Sequence, residues 1–478
     1  MSTTRLLAAA ILASSVGFID GSVTAIALPA IRDSLGATLA GAQWVQNAYM
    51  LALASLTLVG GALGDRFGTA RVFALGIAGF TLASLVCALA PTTALLVAAR
   101  ALQGTAAALM VPGSLALISR SFGPTERGRA IGTWSAASAL TTVAGPLLGG
   151  LLLSGDAPWA WRLVFLVNLP LGAAALLLLR PALALDRPRP EHGLDWAGAV
   201  LATLGLGLLA TALTRAEGSG GAGPLALAGL AALLAFAWAE TRVRAPMMPP
   251  RLFADRGFAL ANLATLLLYG ALSLALFTLP MLLVAGWGLG ELSASLALAP
   301  MSLVLFLLSS RFGALADRTG PFPLIAAGSA TVAASFLGLG VAGGGGSLAA
   351  VVLAMTGAGV GMAMVVAPLS AAVMAGASED GGTASGINNA VSRVAGLMAV
   401  SAAGAIAAAV YARAGGPLSF GEAGSAPGHR EAMAMAFRWV AWAGGVLALL
   451  AAGVALIGAR PSSRARPRSS PPRGAGRP

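Results

Sequence analysis

The sequence has 478 residues, of which 58% are hydrophobic and 10% are charged, and its formal net charge is +12. A soluble protein would carry about 25% charged residues, and the outer helices of a soluble bundle would need polar faces that these segments lack. One cysteine and two histidines exclude a disulfide framework and a His/Cys metal cluster. The composition therefore indicates a membrane protein rather than a soluble helical core.

Fourteen apolar stretches are each long enough to cross a bilayer, which takes roughly 20 residues of helix. They are rich in Leu, Ala and Gly and lack the period-2 alternation of membrane β-barrel strands, so we expect helices to satisfy their backbone groups in lipid. In chain order, the predicted spans are 6–30, 43–63, 71–90, 93–118, 131–154, 161–180, 195–214, 223–240, 258–284, 291–312, 322–342, 348–374, 383–411 and 436–459.

All 29 basic residues are arginines, and their placement predicts the orientation of the chain. With the N-terminus in the cytoplasm, 21 arginines lie on the cytoplasmic side and 6 on the other, while Arg100 and Arg393 fall within spans. Cytoplasmic loops of membrane proteins carry the excess of basic residues. We therefore expect a multi-pass protein of the cytoplasmic membrane with both termini inside, and no nucleic-acid partner.

One short charged motif occurs twice. Residues 61–68 read GALGDRFG and residues 313–320 read GALADRTG, 252 positions later, with six of eight residues identical. Each copy precedes an apolar span, as parallel repeats of a transporter would. We therefore expect a six-helix bundle over 1–181, a linker insertion with two transmembrane helices over 182–257, and a second six-helix bundle over 258–459. The Arg-rich segment 460–478 is predicted to be a disordered cytoplasmic tail, with binding to anionic lipid as the alternative.

The repeated motif suits a gate at the membrane edge. Glycines permit a tight reversal and positive φ, and an Asp can pair with the positive end of a neighbouring helix in one conformation and not in another. A solvated turn without a switching role is the alternative. The candidate gating residues are Gly61, Asp65, Arg66, Gly68, Gly313, Asp317, Arg318 and Gly320.

Three ionisable residues fall well inside predicted spans, where charges are costly and mark functional sites by default. Asp20 lies about 14 residues into the first span, and a carboxylate at that depth suits a group that binds and releases a proton. An approach to Arg100 that changes between states would modulate proton binding, while a permanently paired structural ion is the alternative. Arg393 either bonds carbonyls and neighbouring helices or contacts substrate.

Small and polar residues supply the remaining candidates. Gly145, Gly149 and Gly150 let helices pack closely, and Pro146 removes a helix hydrogen bond, so this stretch either seals the path against ion leak or simply packs. Gln43, Gln46, Asn47 and Met50 share one helical face. The candidate substrate-binding residues are Gln43, Gln46, Asn47, Met50, Gln103, Trp134, Asn262, Tyr269, Asn388, Asn389 and Arg393; for each, packing is the alternative.

Residues 61–71, GALGDRFGTAR, resemble the loop between helices 2 and 3 of the major facilitator superfamily, although Thr69 and Ala70 replace two basic residues of that pattern. Further stretches are similar to the fourteen-helix drug:proton antiporters of this superfamily, namely FIDGSVTAIALPAI (18–31), WVQNAYML (44–51), RALQGTAAA (100–108), GPLLGG (145–150), WRLVFLVNLPLG (161–172) and GTASGINNAVSRVAG (382–396). The resemblance implies the major facilitator fold, an antiporter motif at Gly145, Pro146, Gly149 and Gly150, and a coupling role for Arg100.

Together these features predict a proton-coupled antiporter that exports small amphipathic compounds, such as drugs or antibiotics, by alternating access. No cofactor is expected, since the proton gradient drives transport, and the expected partners are a small-molecule substrate, protons and the lipid bilayer, with the protein acting as a monomer. Because Asp20 is the only deep acid, neutral or monocationic substrates are expected. Export of one endogenous metabolite stays open, whereas a channel, or an enzyme, for which the sequence offers no catalytic constellation, is disfavoured.

Overall fold

The computed structural model describes residues 3–122, 124–154, 157–183, 186, 195–215, 221–243, 246–375 and 381–459. Fourteen long helices make up most of these residues: α1 (Thr3–Leu35), α2 (Leu39–Phe67), α3 (Thr69–Leu89), α4 (Thr93–Ser121), α5 (Pro124–Leu153), α6 (Asn168–Leu183), α7 (Trp196–Arg215), α8 (Ala222–Glu240), α9 (Arg256–Met281), α10 (Glu291–Thr319), α11 (Pro321–Gly345), α12 (Leu348–Ala375), α13 (Gly381–Arg413) and α14 (His429–Ala459). A short helix, Leu163–Leu166, precedes α6, and a single π-helical turn, Leu282–Gly286, continues α9. The predicted tail, 460–478, lies outside the described residues.

The predicted spans coincide with these helices, except that 161–180 crosses a 3₁₀ turn (Ala160–Arg162) and the helix Leu163–Leu166 before α6, and 258–284 ends in the π-helical turn. The predicted all-helical membrane fold is confirmed. Thirteen stretches of the described residues are long and apolar enough to cross a membrane. Helix α5 is not among the thirteen, but its 30 residues extend about 45 Å. Several helices run past the predicted ends because polar caps lie beyond the apolar stretch. Thr38, for example, accepts a hydrogen bond from the amide of Gly41 at the start of α2, which satisfies an end group.

Large apolar side chains cover much of the outer surface. On α8, Leu227, Leu234 and Trp238 are 70%, 63% and 62% exposed, and Leu75 and Leu82 are exposed in the same way on α3. Soluble monomers rarely expose extended patches of this kind, whereas lipid tails are as apolar as leucine. This surface therefore fits contact with hydrocarbon.

The helices form two six-helix bundles with matching contacts. In the first bundle α2 and α3 pack on α4 and α1 packs on α5; in the second, α10 and α11 pack on α12 and α9 packs on α13. The bundles meet at two seams, one between α2 and α13 and one between α5 and α10. The two seams are equivalent, because α10 occupies in the second bundle the place that α2 has in the first, and α13 the place of α5. The residue boundaries predicted for the bundles and the insertion stay a prediction.

The repeated motif ends a helix in each bundle. Gly68 (φ 107°) terminates α2 and Gly320 (φ 78°) terminates α10, and each adopts a conformation that favours glycine. Gly61 and Gly313 lie inside those helices, so the motif forms the last turns of a helix and only its final glycine makes the reversal. The side chains of Asp65 and Asp317 lie outside what the structure describes.

The inserted helices α7 and α8 pack on each other as a hairpin. Helix α7 also contacts α2 and α13, and Leu206 and Ala210 of α7 are buried against Leu397 of α13. The hairpin therefore covers the seam between α2 and α13 from the lipid side.

Candidate functional site

A cavity of about 460 Å³ opens between the first bundle and α13. It lies toward the face at which α1 begins and α14 ends, here called the terminal face, because its lining comes from the early part of α1 and α13 and the late part of α2 and α4. Glycines and apolar residues form most of the wall. The larger and polar side chains that line it include Phe18, Tyr49, Thr57, Trp134, Asn389 and Arg393.

Five fully buried polar side chains form a cluster inside the first bundle, here called the ion cluster: Asp20, Ser84, Arg100, Gln103 and Asn168. Nη1 of Arg100 donates to Oδ2 of Asp20 at 2.5 Å. Oδ1 of Asp20 accepts hydrogen bonds from Nε2 of Gln103 at 2.9 Å and Nδ2 of Asn168 at 3.2 Å. The same two amide nitrogens lie 2.8 and 3.2 Å from Oγ of Ser84. The carboxylate thus has a cation and two neutral donors around it, as a charge away from water requires.

Tyr49 separates the ion cluster from the cavity. The guanidinium carbon of Arg100 lies 4.4 Å from the centre of the Tyr49 ring, within cation–π distance, and Tyr49 also lines the cavity. Nε of Arg100 donates to the carbonyl of Val45 at 3.1 Å. A displacement of Arg100 would therefore reach both the backbone of α2 and the cavity wall.

The structure brings Asp20 and Arg100 together, with Gln103 from the predicted substrate-contact set beside them. The contact fits both a changing approach and a permanent ion pair, so the coupling role of the two residues stays a prediction. Sequence reasoning missed Asn168 and Ser84. Asn168 had a usable signal, since it is an amide near the middle of the predicted span 161–180. Ser84 had none, because serines in membrane helices commonly bond the carbonyls of their own helix.

The other predicted substrate contacts divide into two groups. Trp134, Asn389 and Arg393 line the cavity. Gln43 and Asn47 instead bond across the α2–α13 seam, to the carbonyls of Val400 and Ser401 and to Oγ of Ser401. Gln46 is buried, Met50 lies against Gly396, Tyr269 packs against the apolar core, and Asn388 donates to Asn262 and Thr265. Substrate contact by this second group stays a prediction.

The predicted antiporter glycines lie where α5 meets its neighbours. A Cβ on Gly145 would collide with Oγ of Ser22, and one on Gly149 would lie 3.0 Å from Cγ1 of Val23, both in α1. A Cβ on Gly150 would lie 2.5 Å from Oγ of Ser295 in α10. Helix α5 continues through residue 146, although the side chain of Pro146 is not described. These glycines therefore permit close helix packing, and one of them does so at a seam between bundles.

The face opposite the terminal face is joined across the bundles by Arg32 at the end of α1. Its guanidinium donates to the carbonyl of Phe420 and to Oγ of Ser419, and it lies 3.9 Å from a carboxylate oxygen of Glu422. All three partners belong to the segment between α13 and α14. A second cavity of about 990 Å³ lies among the loops at this face. It is nearer to the membrane surface than the hydrogen bonds by which Gln43 and Asn47 join α2 to α13.

Residues 10–400 match the Major Facilitator Superfamily. The cephamycin export protein of Amycolatopsis lactamdurans is 40% identical to this chain over 410 residues, which cover 81% of this chain and 82% of that protein. The multidrug resistance protein B homolog of Mycobacterium tuberculosis is 32% identical over 383 residues, which cover 77% of this chain and 69% of that protein.

Solved structures show the same fold. The crystal structure of a bacterial homologue of the human lysosomal transporter Spinster superimposes with a TM-score of 0.69 at 19% identity, over 96% of this chain and 97% of that one. Its helices thus follow the same path despite the low identity. With two matching bundles, a cavity between them and a family match across most of its length, this chain belongs to the Major Facilitator Superfamily of membrane transporters.

Proposed function

We propose that the protein exports small amphipathic compounds across the cytoplasmic membrane in exchange for protons. The observation that carries the proposal is the juxtaposition of a cavity open toward one face with a buried carboxylate–guanidinium pair behind its wall. An apolar cavity with few polar groups suits small molecules of varied shape. The buried pair supplies a group that can hold a proton next to that cavity.

The direction of transport rests on orientation and on the relatives. The arginine distribution favours a cytoplasmic terminal face, so the cavity would admit compounds from the cytoplasm. The two relatives are named for cephamycin export and for multidrug resistance, and both names agree with outward transport. Export of one endogenous compound is the second candidate, and the 40% identity to a protein named for export of one antibiotic class favours it.

The ion cluster suggests how a proton would change the cavity. A proton on Asp20 removes most of the Coulomb attraction to Arg100, which is strong where water is excluded. Arg100 then keeps its contacts with Val45 and Tyr49 but loses its counter-charge, so its position and that of the Tyr49 ring become free to shift. We propose that this shift reshapes the cavity wall and favours rocking of the two bundles, so that proton entry from outside accompanies substrate release.

Replacement of Asp20 by Asn tests the proposal in proteoliposomes. We expect Asp20→Asn to lose uphill transport of an antibiotic substrate driven by a pH gradient, because the amide cannot carry the exchanged proton. The same variant should still exchange labelled for unlabelled substrate without a gradient, which shows that it folds. Asp33→Asn, an exposed acid on the same helix, is the matched control. Full gradient-driven accumulation by Asp20→Asn would remove this carboxylate from the coupling.

A further inference from the structure

The described part of the cavity wall carries a positive charge, Arg393, that has no ion-pair partner among the described residues. Arg393 lines the cavity from α13, and its Nε is buried without a hydrogen-bond partner among the described residues. The ion pairs of the described residues join Arg32 to Glu422 and Arg100 to Asp20, and neither includes Arg393. A guanidinium that is partly removed from water and has no counter-ion gains from an anion that enters beside it.

The nearby acid does not supply that counter-charge. Asp20 is engaged by Arg100 at 2.5 Å and by two amide donors, so the ion cluster is neutral as a whole. The described residues that line the cavity include no Asp or Glu. The net charge of the described wall is therefore positive and comes from Arg393.

The surroundings of Arg393 complete an amphipathic site. Asn389, one helical turn before Arg393, opens onto the same cavity and carries amide N–H donors. Phe18, Tyr49 and Trp134 supply aromatic surface in the same wall. A guanidinium matches the planar or tetrahedral oxygens of a carboxylate or sulfonate with paired N–H donors, and the aromatic rings match an apolar scaffold.

We infer that the preferred substrates are amphipathic anions, bound through an acidic group at Arg393 and an aromatic or apolar body against Phe18, Tyr49 and Trp134. The inference rests on the proposed export function and specifies its substrate class. It replaces the expectation of neutral or monocationic compounds, which rested on Asp20 as the only deep acid. An inside-negative membrane potential would also assist the outward movement of an anion.

Two probes of matched shape and opposite charge test the inference: 2-naphthalenesulfonate and 2-naphthyltrimethylammonium, both of which keep their charge at every working pH. Binding is measured from the rise in unfolding temperature with probe concentration, since a ligand of the folded state stabilises it. We expect the wild type to bind the sulfonate more tightly than the ammonium compound. We expect Arg393→Gln to weaken sulfonate binding about tenfold, the equivalent of one lost interaction of 1.4 kcal/mol, while Arg393→Lys keeps the preference.

Arg413→Gln is the matched control, since Arg413 is an exposed arginine at the far end of the same helix. Equal or tighter binding of the ammonium probe by the wild type, no sulfonate binding at all, or unchanged sulfonate binding by Arg393→Gln would each overturn the inference. The comparison of the two probes on the wild-type protein needs no variant, so it tests the inference even if Arg393→Gln fails to fold. If the probe preference is absent, the transport assay of Asp20→Asn can still support proton coupling. If that assay contradicts proton coupling, the probe preference can still be measured.

Discussion

Asn168 shows how a single neutral side chain supports a buried charge. It lies 3.2 Å from both Oδ1 of Asp20 and Oγ of Ser84, and it is fully buried. Without it Asp20 would keep Arg100 and Gln103 but lose one of three donors. A hydrogen bond to a charged group contributes about 1.5–3 kcal/mol, so this amide contributes measurably to the stability of the first bundle.

We therefore expect Asn168→Ala to lower the unfolding temperature. The unfolding temperature can be measured with a maleimide dye that reacts with Cys87, the only cysteine of the sequence. Cys87 is fully buried, and its Sγ lies 3.8 Å from Oε1 of Gln103, so the dye should react only as the ion cluster opens. The control is Asn389→Ala, which removes an amide that faces the cavity. An equal shift in both variants would show that Asn168 has no special role.

At the scale of elements, α5 depends on the absence of side chains at its glycines. A Cβ on Gly150 would lie 2.5 Å from Oγ of Ser295 and 2.9 Å from the backbone Cα of Leu292. The second of these atoms cannot rotate away, so a side chain at Gly150 must move α5 relative to α10. Because this contact joins the two bundles, the displacement reaches one of the two seams about which they would rock.

We expect Gly150→Val to slow efflux and to lower the unfolding temperature, since overpacking typically costs about 1–3 kcal/mol. The two quantities are measured on the same reconstituted preparation. Gly338→Val is the control, because a Cβ on Gly338 in α11 meets nothing within 4 Å and has the same intrinsic cost in a helix. Efflux by Gly150→Val at the wild-type rate would contradict a close α5–α10 seam.

The sequence predicts the helices well because the length of an uncharged run directly reflects the thickness of the bilayer. It predicts the contact of Asp20 with Arg100 because charges inside spans need partners. It does not predict that Gln43 and Asn47 bridge α2 to α13, or that Arg393 has no ion-pair partner in the part of the chain that the structure describes. An isolated helical face shows which residues lie together, but the helix that it contacts depends on how the thirteen other long helices pack.

At the scale of the whole molecule, the two faces differ in how the bundles are joined. The cavity opens toward the terminal face, while Arg32 ties α1 to Ser419, Phe420 and Glu422 at the other. Arg32 is only 6% exposed, so its bonds are worth more than those of a surface ion pair. These bonds favour the form that is closed at this face.

Arg32→Ala should therefore raise the population that is open at that face, by about tenfold for each 1.4 kcal/mol lost. Spin labels at exposed Ser34 and Ser425, introduced through Ser34→Cys and Ser425→Cys, would report this as a longer distance in pulsed electron resonance. Buried Cys87 should stay unlabelled. Arg430→Ala, an exposed arginine at the same face, should leave the distances unchanged. The same distribution in Arg32→Ala as in the wild type would refute the role of this contact.

The hairpin of α7 and α8 makes the two flanks of the transporter unequal. It shields the α2–α13 seam, whereas α8 presents leucines and a tryptophan outward. A hydrophobic molecule dissolved in the bilayer meets four helices, α2, α13, α7 and α8, on that flank. On the other flank it meets the two adjacent helices α5 and α10. Among the described helices, the α5–α10 seam is therefore the more accessible route for a compound that enters from the bilayer. Bulky side chains beside this seam would slow the transport of membrane-dissolved compounds without affecting compounds that arrive through water.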